Sequence, residues 1–97
     1  MKNQAQIREA IKSLLPVLRS RYGVDQIGIF GSFARGEAGP DSDVDLLVSF
    51  SRPIGWDFFD LKDFLEEKLS RKVDLVTERS IRPDWKSQIL EEASFLK

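Results

Sequence analysis

Neither cysteine nor histidine occurs in the 97 residues of this chain. Without cysteine there is no disulfide framework, no thiolate nucleophile and no cysteine-ligated zinc site. Without histidine the commonest general base is missing, and with it any Ser-His-Asp triad. Catalysis, if there is any, falls to carboxylates, backbone amides and a bound hard cation. An excess of one charge is lacking too. Fifteen basic and sixteen acidic residues leave a formal charge of −1, so no strong positive field marks nucleic acid as the main partner. No apolar run approaches the ~20 residues needed to cross a bilayer. The opening MKNQAQIREAIKSLL has charges and amides where a signal peptide has an unbroken apolar core. The expectation is a cytoplasmic protein.

What is present fits one small folded domain over residues 1–97, with 41% hydrophobic and 32% charged residues. Ile7, Ala10, Ile11, Leu14, Leu15, Leu18 and Tyr22 recur at three- and four-residue steps, which predicts an amphipathic helix over 4–22. Pro16 falls inside it and is expected to kink it or remove one hydrogen bond. VDQIGIF (24–30) and DVDLLVSF (43–50) read as strands, separated by a loop with room for a helical turn and punctuated by Gly39-Pro40. WDFFDLKDFLEEKLS predicts a second long helix, RKVDLVTE a third strand, and RPDWKSQILEEASFLK a final helix with Trp85, Ile89, Leu90, Ala93 and Leu96 turned inward. So small a domain needs its large side chains for its own core. Trp56, Phe58, Phe59 and Trp85 are therefore expected to pack inward, with Trp56 the most exposed of them. The element order predicts an α/β (α+β) fold: a small mixed sheet with helices packed on one face.

The chemistry concentrates in GSFARGEAGPDSDVDLLVSF (31–50). Asp43 and Asp45, two positions apart in a strand, point to the same side. Two carboxylates held this way repel, and a divalent cation neutralises them directly. Mg²⁺ suits such a pair, because it is usually held by one or two carboxylates together with waters and substrate phosphates. Asp74 interrupts the otherwise apolar KVDLVT. If its strand neighbours the second, three acids converge, enough for the pair of metal ions that clamps the oxygens in phosphoryl transfer. Gly31-Ser32 ends the first strand and can aim backbone N–H groups and a hydroxyl at a phosphate. Arg35 can either meet a phosphate or pair with a nearby acid such as Glu37 or Asp41.

Taken together, Gly31, Ser32, Ala34, Arg35, Gly36, Ser42, Asp43, Asp45, Leu46 and Val48 spell a pattern that closely resembles the minimal nucleotidyltransferases (MNT proteins) of the DNA polymerase β superfamily. VDLV around Asp74 sits where that family carries its third acid. The resemblance implies a polymerase β-like nucleotidyltransferase core. Gly31 and Ser32 would bind the nucleotide phosphates, and Asp43, Asp45 and Asp74 would ligate Mg²⁺ (two ions in such enzymes). Asp74 would also help deprotonate the acceptor. It further implies transfer of a nucleoside monophosphate, with ATP as default donor, to a hydroxyl. MNT proteins are commonly paired with helical HEPN toxins, so the implied role is antitoxin, by adenylylating the toxin or, alternatively, by binding it without catalysis.

Overall fold

The computed structural model describes residues 4–39 and 41–96; Pro40 of the expected Gly39-Pro40 turn lies outside them. Ile7, Ile11, Leu15, Leu18 and Tyr22 all lie buried along α1 (Gln4–Tyr22). Pro16 is exposed, and the helix runs through it. The residue four positions earlier, Lys12, is exposed as well, so water can satisfy the carbonyl that proline leaves unpaired. The chain continues as β1 (Val24–Phe30), α2 (Gly31–Arg35), β2 (Val44–Phe50), α3 (Asp57–Leu69), β3 (Val73–Thr77), a 3₁₀ turn at Glu78–Ser80, α4 (Pro83–Glu92) and β4 (Ser94–Phe95). Among these helices none is long and apolar enough to cross a membrane.

The four strands form one mixed sheet in the order β3-β2-β1-β4. β2 runs parallel to β3 and antiparallel to β1, and β4 closes antiparallel on β1. The period-two pattern sorts the two faces. Ile27 and Ile29 of β1, Val44, Leu46 and Val48 of β2, and Val73 and Leu75 of β3 join α1 and the Leu61, Leu65 and Leu69 stripe of α3 in one buried cluster. The alternate residues, Asp45 and Asp74 among them, face the other way. Phe33 roots the short α2 in the core at 1% exposure.

The structure departs from the sequence reading at the C-terminus and at the aromatics. The final helix stops at Glu92, and Ala93 turns extended (φ −64°, ψ 135°). Ser94 and Phe95 then pair with Ile29 and Gly28, and the Leu96 amide donates to the Ile27 carbonyl at 2.9 Å. Leu96 is buried as expected, but it reaches the core from this added strand and not from a helix. α4 itself carries no buried residue. Of Trp56, Phe58, Phe59 and Trp85, only Phe58 packs against the core. Trp56 is the most exposed of them, as expected, at 86%, whereas Phe59 and Trp85, expected inside, are 58% and 52% exposed, because the aliphatic side chains of α1, α3 and the sheet already fill the interior.

Candidate active site

Where β1 gives way to α2, the backbone turns at Gly31 with φ 71°, a left-handed value that side-chain-bearing residues avoid. Space compels glycine there as well. A Cβ at position 31 would lie 2.0 Å from Asp45 Oδ2. The Gly31-Ser32 opening and the Asp45 carboxylate are thus in direct contact, because Phe30 and Asp45 are register partners across β1 and β2. On its other side Asp45 is the register partner of Asp74 in the parallel β2–β3 pair. Asp43 lies just before β2, exposed, while Asp45 is half-buried.

The electrostatics follow from this crowding. Burial, then the charges of Asp74 and Asp43, push the Asp45 carboxyl up from 3.8 to about 6. Arg35 opposes the shift and Glu92 adds to it. Such a group is a poor free carboxylate and a good partner for a cation. Among the described residues no three acidic side chains are drawn tightly enough to enclose an ion by themselves. The donor set nevertheless fits Mg²⁺: hard oxygens on one sheet face, open to water and to substrate phosphates that complete the shell.

Two loops are braced around these groups. The Arg71 Nη1 donates to the carbonyls of Gly39 (3.2 Å) and Ser42 (2.9 Å), and its guanidinium lies 4.9 Å from the Phe33 ring centroid. The Ser42 hydroxyl accepts from the Gly39 amide at 2.8 Å. The segment that delivers Asp43 is therefore tied to the start of β3, which delivers Asp74. Glu92, at the end of α4, accepts from the Gly31 amide and from Arg35 Nη1, each at 2.7 Å. Arg35 Nε also donates to Glu37 at 3.2 Å. Of the two roles left open for Arg35, this arrangement displays pairing with acids.

Asp43, Asp45, Asp74, Gly31 and Ser32 thus gather at one end of the β2–β3 pair, and Arg35 joins them through Glu92. Sequence reasoning missed Glu92 and Arg71. An acid on an amphipathic helix and an arginine before a strand carry no signal of what they hold 61 and 29 residues away. A separate cleft of about 680 Å³, lined by Ser49, Arg52, Ile54, Thr77, Arg79 and Lys86 among others, opens at the other end of β2. Ser49 stands four residues, or about 13 Å of strand, from Asp45.

The nucleotidyltransferase domain family matches residues 11–96. The chain belongs to the minimal nucleotidyltransferases. It is 42% identical over 93 residues to the protein adenylyltransferase MntA of Thermococcus cleftensis, covering 91% of this chain and 94% of the relative. A solved structure assigned to the minimal nucleotidyltransferases superposes with a TM-score of 0.80 at 40% identity, over 96% of this chain and 95% of the other. The fold also recurs in a complex of a tri-AMPylated Shewanella oneidensis HEPN toxin with an MNT antitoxin. There the TM-score is 0.70 at 23% identity, over 97% of this chain and 71% of the other. These likenesses establish a nucleotidyltransferase with a polymerase β-like core.

Proposed function

We propose that this nucleotidyltransferase moves AMP from ATP to a hydroxyl group of a helical HEPN-type partner protein with release of pyrophosphate, acting in the cytoplasm as that protein's antitoxin through one domain comprising residues 1–97. The observation that carries the reading is the juxtaposition of the Asp45–Asp74 register pair with the Gly31-Ser32 turn. Support comes from the relative named a protein adenylyltransferase, from the AMPylated toxin in the complex of like fold, and from a toxin–antitoxin structure with AMP-PNP at TM-score 0.73 and 24% identity.

Each residue then has a task. Ser32, with Gly31, holds and turns the triphosphate. Asp43, Asp45 and Asp74 hold one or two Mg²⁺ ions. When bound, the metal supplies positive charge against the reacting phosphate and lowers the pKa of the acceptor hydroxyl, which removes the need for histidine. Asp74 lies on β3, an edge strand of the sheet, where a hydroxyl presented by a bulky protein can reach it, and its carboxylate takes up the proton. Asp45 between them keeps the donor and acceptor sides within one cluster. The test is co-purification of the chain with its partner, followed by mass spectrometry of that partner after incubation with Mg²⁺ and ATP. An AMP adduct on a hydroxyl-bearing residue is expected. A stable complex in which the partner stays unmodified assigns the antitoxin role to binding alone.

A further inference from the structure

Among the described residues, Glu92 is an acidic side chain that enters this site from the far end of the chain. Its Oε1 accepts both the Gly31 amide and Arg35 Nη1, and its side chain is only 21% exposed. The Gly31 amide thereby has its acceptor in a side chain 61 residues away. Ser32, the next residue, is half-buried, and its carbonyl accepts the Glu37 amide at 2.9 Å. The turn that presents Ser32 is thus held on one side by Glu92 and on the other by the chain that follows α2. Charge-assisted hydrogen bonds of this length are about twice as strong as neutral ones. The remainder of α4 buries no side chain, so this contact acts together with the β4 pairing, the Arg8–Ser94 hydrogen bond and the buried Leu96 in attaching the C-terminal segment beside the turn.

We infer that Glu92 is a positioning residue of the nucleotide site: by accepting the Gly31 amide and Arg35 together, it fixes the left-handed turn that aims Ser32 at the substrate phosphates. The inference rests on the nucleotide reading given above. It revises the division of labour within it, leaving Ser32 to meet phosphate while Gly31 and Arg35 serve the turn. It also ties the site to the C-terminal segment, because Glu92 at the end of α4 holds the turn and β4, which follows at once, pairs with β1.

The test compares Glu92→Ala and Glu92→Gln with the parent chain by two readouts, amide exchange at Gly31 and Ser32 and the affinity for AMP-PNP in Mg²⁺. Glutamine keeps an acceptor oxygen for the Gly31 amide, while alanine removes it. The expected result is faster exchange at both amides in Glu92→Ala with about a tenfold weaker Kd, and recovery of most of both losses in Glu92→Gln. A purely structural role would lower the Tm of both variants alike and leave the exchange order unchanged, which overturns the inference. Tighter AMP-PNP binding by Glu92→Ala also overturns it, because Glu92 would then compete with phosphate for the Gly31 amide. If the parent chain binds no AMP-PNP, the nucleotide reading itself fails, and the exchange comparison alone decides whether Glu92 holds the turn.

Discussion

At the scale of single residues, two conflicts define the site. The first is steric: position 31 combines a positive φ with a Cβ-sized space already filled by Asp45 Oδ2. Gly31→Ala is expected to cost at least roughly 1–2 kcal/mol in stability through the left-handed backbone alone, and to displace Asp45 as well. Chemical denaturation together with nucleotide binding measures both effects. The second conflict is electrostatic. Asp45 has its pKa raised to about 6, so the folded chain holds that proton more tightly than the unfolded chain. The resulting penalty is absent below about pH 4, grows as the pH rises through 6, and is complete above it. Metal-free Asp45→Asn, which has no charge there, is therefore expected to melt above the parent at pH 7.5, with the gap closing toward pH 4. Thermal scans at the two pH values decide this, and a gap that is unchanged or wider at low pH contradicts it.

At the scale of elements, periodicity made most of the fold readable, because α1, the three longer strands and α3 each bury one regular set of aliphatic side chains. The core stripe of α3 is correspondingly sensitive: Leu65, fully buried, should cost about 2–5 kcal/mol on replacement by alanine. The convergence of the carboxylates was legible for a related reason, since acids in strands otherwise made of valine and leucine stand out against the apolar pattern. β4 was not legible. Two residues are too few to show a period, and ILEEASFL continues the pattern of the preceding helix, so only pairing with β1 reveals the strand. Nor did the sequence show that α4 would leave Trp85 exposed, because an amphipathic pattern does not say how deeply its apolar side sinks. Glu92 and Arg71 were hidden because both act across long stretches of chain. Arg71→Ala is expected to leave the core intact and to loosen residues 36–39 and 41–43. Faster amide exchange there, with Mg²⁺ affinity reduced through Asp43, would record it.

At the scale of the whole molecule, the fold sets the carboxylates proposed to be catalytic on one face of a sheet whose other face is a conventional core. The substrate end of the molecule is thus built from turns and termini: the β1–α2 turn, the loop before Asp43 and the end of α4. A ligand binding there should stabilise the whole chain. At a hundredfold excess of free nucleotide over Kd, linkage supplies about 2.7 kcal/mol, which at several degrees per kcal/mol for a domain of this size is roughly ten degrees of Tm. Trp56, 86% exposed, lies outside this cluster and outside the core. Trp56→Ala is expected to keep the parent's stability to within about 0.5 kcal/mol, which makes it a clean variant for probing partner contacts. The central claim is that the Asp45–Asp74 pair beside Gly31-Ser32 transfers the nucleotidyl group of ATP. Its most direct test is to incubate the chain and its co-purified partner with Mg²⁺ and ATP labelled at either the α- or the γ-phosphate. Label from the α-phosphate alone should appear on the partner and vanish with Asp45→Asn; label from the γ-phosphate, or transfer that survives Asp45→Asn, would contradict the account.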